Sequence, residues 1–266
     1  IIEFDKLKKS INCKNEIFVK NLARRMYNGE AFIVRNAAKK NLKGIMLNLA
    51  KHYDKKQKPS FHKMLDGTPN FHRIIDKKIT KKYSLFAIKH SYFLYNWNIK
   101  SKLEKDFKKG VYRHWRYVKF LAGNSKFQYE KNIPSQMQID RLQIVNYPHG
   151  GGELRDHVDP RKNQRVVSGL IMSKKGVDFD QGGFYFRGKN YKKLNIEDRL
   201  EIGDSVIFYG SIVHGVEKVD KNKKLDWKSN DGRWFIGMFV NESNHVKNRI
   251  TASDLSNSTN FKKKAS

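Results

Sequence analysis

The feature that most constrains the fold of this chain is a series of short apolar segments in its C-terminal half. Beyond about Gln138, turns that contain Gly or Asp separate these segments. Several short strands at this spacing indicate an antiparallel sandwich or jelly roll. The predicted strands are Arg141–Tyr147, Val166–Met172, Gly183–Phe186, Ser205–Tyr209 and Trp234–Val240.

The N-terminal half has helical periodicity instead, because apolar residues in its longer segments recur at the spacing of one helix face. A polar stretch over residues 54–70 is interrupted by prolines and is predicted as a loop. Near-alternating aromatic residues predict a strand over Ser91–Trp97. The predicted helices are most of residues 1–27, a segment from about Ala37 to His52 capped by Asn36, and residues 99–122.

Together these segments predict an α+β fold with a mainly β core, namely a double-stranded β-helix (jelly roll) with an N-terminal helical buttress. We expect a single domain over residues 1–242, with a helical half (1–130) and a jelly-roll core (138–242). Residues 243–266 are polar and basic, and they are predicted to form a partly disordered tail.

The chain carries a large positive charge. Its 55 Lys and Arg residues outnumber 26 Asp and Glu residues, which gives a formal net charge of +29 at pH 7. Such an excess favours anionic partners, among them nucleic acid, lipid headgroups and acidic small molecules. Lysine-rich surfaces are also commonly solvated without a specific partner, so the charge alone does not select one.

The sequence also bears on the cellular compartment. No apolar run is long enough to span a membrane, and Ile1–Lys6 lacks the apolar core of a signal peptide. Cys13 is the only cysteine, so no internal disulfide can form. A cytoplasmic location is the default expectation.

A possible metal site begins at His157-Val158-Asp159. In an extended segment, side chains two residues apart point to the same face, so this imidazole and this carboxylate are neighbours. His214 follows a Gly-Asp turn and an apolar strand, and it supplies a third ligand. Two nitrogens and one oxygen suit Fe(II) bound on one face, with the opposite face open.

The order of several motifs along the chain identifies a protein family more specifically than any single motif does. Over about Gln138–Asn241, the chain resembles the 2-oxoglutarate/Fe(II)-dependent dioxygenase superfamily, and within it the prolyl-4-hydroxylase-like branch. The N-terminal half is similar to that family only in outline. The ordered motifs are Tyr147-Pro148-x-Gly150, His157-x-Asp159, Gly182-Gly183-x-x-Phe186, Gly203-Asp204 before the strand that leads to His214, and Arg233 at the start of the last strand.

The resemblance implies an enzyme that uses Fe(II), 2-oxoglutarate and O2. His157, Asp159 and His214 would hold the iron. Arg233 would pair with the distal carboxylate of 2-oxoglutarate, for which a planar guanidinium is suited. Tyr147 would contact the same cosubstrate. The implied reaction hydroxylates a C–H bond and releases succinate and CO2.

This sequence departs from the family pattern near Arg233. Phe235 stands where many members place a hydroxyl that shares the carboxylate, and the charged segment Asp220–Asp231 is predicted to be a hairpin insertion. The strand after His-x-Asp lacks the tyrosine that prolyl-hydroxylase-like members often supply. Ser168 or Ser173 is expected to take its place.

The substrate is left open by the sequence. A peptide side chain follows from the prolyl-hydroxylase resemblance, and an anionic sugar or small molecule follows from the basic charge. Arg155 and Arg165 flank the metal motif and would meet an anionic substrate. Gln143 shares a strand face with Tyr147 by alternation and is expected to line the site.

Two other functions are less favoured by the residues. An AlkB-like nucleic-acid demethylase usually has a second arginine six residues after the first, and here that residue is Phe239. A non-catalytic jelly-roll binding protein would be expected to have lost a metal ligand, and all three are retained.

Overall fold

The computed structural model describes residues 1–80 and 87–255 of the chain. Its helices are α1 (Phe4–Asn12), α2 (Glu16–Tyr27), α3 (Leu42–Lys56), α4 (Lys77–Thr80) and α5 (Lys102–Leu121). Its strands are β1 (Ile2–Glu3), β2 (Phe32–Arg35), β3 (Phe71–Ile75), β4 (Ala87–Tyr95), β5 (Gln138–Pro148), β6 (Gly152–Val158), β7 (Val166–Ile171), β8 (Gly183–Arg187), β9 (Lys193–Asn195), β10 (Ser205–Tyr209), β11 (His214–Val219), β12 (Gly232–Glu242) and β13 (Ser253–Asp254).

The strands form two sheets that share β4. The first sheet has the order β3-β4-β5-β12-β7-β10-β2-β1, and the second has the order β4-β6-β11-β8-β9 with β13 also paired to β6. Strand β4 pairs with β5 over residues 90–95 and with β6 over residues 87–88. The sheets therefore close at one edge, which confirms the predicted jelly roll with a mainly β core.

The helices cover the outer face of the first sheet. Because side chains alternate along a strand, Ile144 and Leu170 point outward and pack with Trp115 of α5 and Leu49 of α3 in one large hydrophobic cluster. Residues of the opposite parity, such as Val145, point inward towards the second sheet. The space between the two sheets is the site of interest, because both predicted metal-binding segments border it.

Helix α5 is fixed at both ends by polar contacts. At its start, Ser101 and Glu104 form a reciprocal capping box. Near its end, the Lys119 ammonium lies 2.8 Å from a carboxylate oxygen of Asp140 on β5, and neither side chain is exposed. Tyr112 donates a hydrogen bond to the same carboxylate at 2.9 Å. This buried ion pair ties the longest helix to the central strand.

Several local predictions differ from the structure. Asn36 does not cap a helix, because its backbone has φ +57° and α3 begins later, with Asn41 as its N-cap residue. Trp97 lies in a 3-10 turn beyond the end of β4. Strands β6 and β11 were not predicted as strands of their own, since glycine turns and histidines interrupt their hydrophobic pattern.

The predicted hairpin insertion and the predicted basic tail contain little regular secondary structure among the described residues. No strand is found within Asp220–Asp231, so the predicted hairpin insertion is a turn-rich loop between β11 and β12. Residues 256–266 of the predicted basic tail lie outside the described residues, whereas Ser253–Asp254 pairs with β6. None of the helices within residues 1–80 and 87–255 combines the length and hydrophobicity that crossing a bilayer requires.

Candidate active site

The three predicted metal ligands converge between the two sheets. His157 on β6 and His214 on β11 are direct partners in an antiparallel register, and their ring centroids lie 4.1 Å apart. Asp159 follows β6, and its backbone N–H donates to the Gly210 carbonyl at 3.0 Å. One ligand atom from each of the three side chains lies within 4.8 Å of the others. The strand pairing therefore brings together ligands that are distant in sequence.

Backbone carbonyls fix both imidazole rings. Nδ1 of His157 lies 2.8 Å from the Arg155 carbonyl oxygen, and Nδ1 of His214 lies 3.0 Å from that of Ile212. Because a carbonyl oxygen only accepts, each Nδ1 carries the proton and each Nε2 presents a lone pair. Nε2 of His214 lies 3.4 Å from Oδ2 of Asp159. This arrangement points two nitrogens and a carboxylate at one position.

Electrostatics keep these groups in the protonation states that a metal requires. Burial, and then the neighbouring His214, lowers the pKa of His157 to about 4, so its ring is neutral near pH 7. Burial acts to raise the pKa of Asp159, but the neighbouring His214 and His157 lower it overall. A neutral imidazole at His157 and an ionised carboxylate at Asp159 fit the donor set of Fe(II).

A narrow cavity of about 90 Å³ extends from the three ligands into the space between the sheets. Its walls are mostly apolar, and Arg233 and Tyr147 contribute polar groups to it. These two residues are direct partners in the pairing of β12 with β5, so both point inward. Burial raises the pKa of Tyr147, and its hydroxyl therefore stays protonated and able to donate. We call this space the inner cavity.

The Arg233 guanidinium is held by an acidic residue that the sequence did not suggest. Its Nε donates to Oε2 of Glu197 at 2.9 Å, and both side chains are almost fully buried. The same carboxylate oxygen accepts from the Phe184 backbone N–H at 2.6 Å. Because Glu197 takes Nε, the two terminal nitrogens of Arg233 remain for a ligand carboxylate in the inner cavity.

One sequence signal for Glu197 was present but was not interpretable alone. Gly183 has φ +117°, and a Cβ at that position would lie 2.4 Å from Cγ of Glu197. The glycine of the Gly-Gly-x-x-Phe motif thus makes room for the carboxylate that holds Arg233. Nothing in the local sequence around Glu197 identifies it as the partner.

Ser168 borders the inner cavity, but its hydroxyl points away from it. It has the same strand parity as Leu170, on the helix-covered face, where its hydroxyl lies 2.8 Å from the Ser205 hydroxyl and 3.2 Å from Nε2 of His114. Ser173 also makes only backbone contacts, with Gly232 and Trp234. The expected replacement for a missing tyrosine hydroxyl is therefore not provided by either serine.

The three residues suggested as substrate contacts lie in different places. Gln143 borders a second cavity that also contacts His157, and it accepts a hydrogen bond from Arg141 at 3.2 Å. Arg155 faces a groove on the other side of β6, and exposed Arg165 lies near Gly123 beyond the end of α5. Only Gln143 is brought to the metal ligands.

The glycine turn before His157 is covered by the loop between β11 and β12. Gly150 and Gly151 donate hydrogen bonds to the Asp220 and Val219 carbonyls at 3.0 and 2.9 Å. The backbone of Leu225 approaches so closely that a Cβ at Gly150 would lie 2.5 Å from its nitrogen. The loop between β11 and β12 therefore packs closely against this turn.

Several solved structures have a fold similar to that of this chain. A prolyl-4-hydroxylase from Pseudomonas putida aligns with a TM-score of 0.51 and 10% identity, over 84% of this chain and 97% of that one. A full-length protein from Neurospora crassa, solved in complex with alpha-KG, aligns with a TM-score of 0.51 and 12% identity, over 92% and 85% of the two chains. The chain has the fold of the 2-oxoglutarate/Fe(II)-dependent oxygenases.

This oxygenase fold includes the prolyl-4-hydroxylase-like branch that the motif order suggested. A Caulobacter crescentus protein described as of the 2OG-Fe(II) oxygenase family also aligns, with a TM-score of 0.51 and 11% identity, over 90% of this chain and 85% of that one. No protein-family model and no curated protein matches this sequence. At these identities, the similarity speaks for the architecture, and the site has to be argued from its own residues.

Proposed function

We propose that this protein is an Fe(II)- and 2-oxoglutarate-dependent oxygenase that hydroxylates a C–H bond of its substrate. The observation that supports this most strongly is the convergence of His157, Asp159 and His214 beside a cavity that contains a buried arginine. The fold supports the same class. The balanced reaction consumes one substrate, one 2-oxoglutarate and one O2, and it yields the hydroxylated substrate, succinate and CO2.

The ligand set has defined roles in this proposal. Nε2 of His157, Nε2 of His214 and a carboxylate oxygen of Asp159 would hold Fe(II), which supplies the oxidising chemistry when it is bound together with 2-oxoglutarate and O2. The backbone carbonyls of Arg155 and Ile212 keep both rings oriented. These contacts set the position of the metal before any cosubstrate enters.

The inner cavity has the features that a small dicarboxylate requires. The terminal nitrogens of Arg233 would pair with its distal carboxylate, and the Tyr147 hydroxyl would donate to the same ligand. Apolar walls, including Phe208 and Ile171, exclude water from the space between arginine and metal. Glu197 acts as a positioning residue, because it touches Arg233 and not the ligand.

The alternative functions have less support. An AlkB-like demethylase would be favoured by an arginine at position 239, but Phe239 there packs against Arg141. A non-catalytic binding protein would not need both imidazoles locked with Nε2 facing Asp159. We retain a cytoplasmic location as a prediction based on the single cysteine.

The decisive experiment is an anaerobic titration of the purified protein with Fe(II) and then 2-oxoglutarate. A weak metal-to-ligand charge-transfer band should appear in the visible spectrum, and His157→Ala should abolish it. Arg233→Met should require much more 2-oxoglutarate to reach the same band while leaving Fe(II) binding intact. Absence of a band in the folded wild-type protein would contradict the proposal.

A matched control separates a local from a general effect. Arg165→Gln removes a positive charge from an exposed residue that does not line the inner cavity, and its band should equal that of the wild-type protein. Succinate release from 2-oxoglutarate under air provides a second readout that does not require the substrate.

A further inference from the structure

A second cavity, which we call the outer cavity, opens on the other side of the metal ligands. It has a volume of about 240 Å³ and lies against β3, β4, β5, β12 and residues 249–252. His157, Asp159 and Tyr147 border both cavities. If the cosubstrate occupies the inner cavity, the outer cavity is where a substrate reaches the metal.

Four basic side chains line the outer cavity: Arg73, Lys89, Arg141 and Arg249. They come from four separate segments, and strand register explains their meeting. Arg73 pairs with Ser91 on β4, two residues from Lys89, and Arg141 pairs with Tyr95 on the same strand. Side chains two residues apart share a face, so these cations point to the same side.

Basic side chains outnumber acidic side chains in the lining of the outer cavity. Among the described residues, Asp159 and Glu242 are the only acidic side chains that line the outer cavity. Asp159 belongs to the metal site. The Glu242 carboxylate lies 2.8 Å from the Lys162 ammonium and accepts the Ile250 N–H at 3.0 Å. The sequence segments 81–86 and 256–266 contain no Asp or Glu that would supply further negative charge.

Arg141 illustrates how the cations are held. Its guanidinium carbon lies 5.1 Å from the Phe93 ring centroid and 5.2 Å from that of Phe239. These stacks fix the plane of the guanidinium without neutralising it. Its Nε is buried and makes no hydrogen bond within the described part of the chain. An arginine held in this way is prepared to donate to an anion.

Mutual repulsion and burial give the cluster a measurable signature. Lys89 shares the outer cavity with Arg73 and Arg141, which carry the same charge. Burial lowers the pKa of Arg141 to about 10, and Arg249 adds to that effect. Like charges in a partly enclosed space destabilise one another, and a bound anion would relieve this repulsion.

We propose that the outer cavity binds a phosphate group of a small-molecule substrate and so places the substrate beside the metal ligands. This inference rests on the proposed oxygenase function. A dianion matches the excess of cations, and the guanidinium fork of Arg141 matches phosphate oxygens in two parallel hydrogen bonds. A volume of about 240 Å³ lies at the small end of ligand sites, which favours a metabolite over a peptide.

The first test measures anion binding directly in the metal-free full-length chain. Inorganic phosphate is added at constant ionic strength, with chloride as the balancing salt, and the melting temperature is followed. A saturable increase is expected in the wild-type protein and in Arg233→Met, and it should be lost in Arg141→Met and in Lys89→Met. An increase of the same size in Arg141→Met would overturn the proposal.

The melting temperature without phosphate gives a second readout, and there the expected change in the variant is an increase. Without phosphate, Lys89→Met should melt at a higher temperature than the wild-type protein, because one of several repelling charges is removed. A misfolded variant would melt lower or not cooperatively, so loss of binding by misfolding is recognisable. Arg165→Gln is the matched control and should retain the full phosphate response.

Further arms separate the remaining outcomes. Loss of the phosphate response in Arg233→Met would place the anion in the inner cavity and overturn the proposal. If a short single-stranded DNA binds more tightly than phosphate and this binding depends on Arg141, the ligand of the outer cavity is nucleic acid and the small-molecule proposal is overturned. If the charge-transfer band with Fe(II) and 2-oxoglutarate is absent while phosphate still binds, the proposed function fails and not the anion site.

A separate observation concerns the opposite face of β3 and β4. Asp54 at the end of α3, His72 on β3 and His90 on β4 place one ligand atom each within 4.8 Å of the others. Nε2 of His90 lies 3.5 Å from Oδ1 of Asp54. The Tyr92 hydroxyl donates to the same oxygen at 2.8 Å and orients the carboxylate.

The two histidines of this cluster lack ordinary partners. Nε2 of His90 and both ring nitrogens of His72 are buried, and none makes a hydrogen bond of normal geometry with the described residues. Buried polar atoms without a partner are unfavourable and often indicate an unseen water or ion. We infer that Asp54, His72 and His90 bind a divalent transition metal such as Zn²⁺, with water completing the shell.

This site is tested independently of the oxygenase proposal. In a His157→Ala/His214→Ala background, isothermal titration with Zn²⁺ should give one equivalent, and addition of His72→Phe should remove it. Phenylalanine preserves the ring packing of His72 against Tyr92. His52→Ala, at an exposed position on α3, should leave the binding unchanged. Retention of the equivalent in His72→Phe would overturn the inference.

Discussion

At the scale of single residues, the site depends on contacts that hold each functional group in one state. Backbone carbonyls select the tautomers of His157 and His214, and Glu197 fixes the Arg233 guanidinium through Nε. The second contact has an energetic consequence. A carboxylate ligand and Glu197 both neutralise one guanidinium, so the stability of the apo protein and the effect of the ligand are linked.

The variant Glu197→Gln tests this linkage. We expect it to lower the free energy of unfolding of the apo protein by about 2–3 kcal/mol, because Arg233 becomes a buried cation without a counterion. Addition of 2-oxoglutarate should then raise the melting temperature more than in the wild-type protein, since the ligand restores a counterion. Differential scanning calorimetry with and without 2-oxoglutarate measures both effects.

Glu201→Gln is the control, because Glu201 lies only four residues after Glu197 in the sequence and forms an exposed ion pair with Lys174. Its response to 2-oxoglutarate should equal that of the wild-type protein. A ligand-induced shift in Glu197→Gln that is no larger than in the control would contradict the assigned role.

At the scale of elements, two junctions position the strands that carry the site. One is the turn between β5 and β6, which leads directly to His157 and is covered by the loop between β11 and β12. The other is the buried ion pair that links α5 to β5. Each makes a distinct prediction, because one depends on backbone space and the other on paired charge.

Substitution of the two glycines in the turn separates backbone strain from close packing. Both have positive φ, but a Cβ at Gly151 meets nothing within 4 Å, whereas one at Gly150 collides with the Leu225 backbone. Gly151→Ala should cost about 1–3 kcal/mol from strain alone. Gly150→Ala should cost clearly more, as measured by urea denaturation. Equal losses would show that the loop yields freely.

The variant Lys119→Met tests the junction between α5 and β5. It leaves the Asp140 carboxylate buried without its cation, so the free energy of unfolding should fall by about 3–5 kcal/mol. The double variant Lys119→Met/Asp140→Leu should recover much of that loss, because no unpaired charge remains. Chemical denaturation provides the comparison, and a double variant as unstable as the single one would contradict the explanation.

Lys20→Met serves as the surface control for this experiment. Lys20 forms an exposed pair with Glu16 one helix turn away. Exposed pairs contribute little, so no measurable change in stability is expected.

At the scale of the whole molecule, the two faces of one sheet each carry a proposed binding site. On the inner face of β4 and β5, Lys89 and Arg141 border the outer cavity, and on the helix-covered face His90 lies beside Asp54.

The buried histidines also make overall stability depend on pH. Burial lowers the pKa of His114 to about 3 and acts in the same direction on His72 and His90.

The sign of the pH dependence follows from the difference between folded and unfolded states. In the unfolded chain, histidine titrates near pH 6.5, so above that pH neither state binds the proton. Between about pH 6.5 and 3, the unfolded chain binds a proton that folded His114 does not. Stability should therefore decrease as the pH falls, by up to about 1.4 kcal/mol per pH unit for each such histidine.

Urea denaturation at several pH values between 7 and 5 measures this slope. His114→Gln should reduce it, because one proton-linked group is removed, while exposed His52→Gln should not. An unchanged slope in His114→Gln would show that the histidine is not neutral in the folded protein.

The sequence determined the features that depend on local periodicity. Alternation within a strand made His157 and Asp159 neighbours and placed Gln143 on the same face as Tyr147, and the spacing of short apolar segments indicated the jelly roll. These relations need no knowledge of which strands pair. The sequence did not show on which face of its strand the Ser168 side chain lies, because that depends on packing against α5.

Only the tertiary structure decided which distant residues meet. Glu197 reaches Arg233 because a turn after β9 folds over Gly183. Arg73 and Lys89 join Arg141 because β3 and β4 extend the sheet beside β5. Strand pairing and register are non-local, since a shift of one residue would turn every side chain to the other face. The proposed metal ligands were therefore visible in the sequence, whereas the charges that surround them were not.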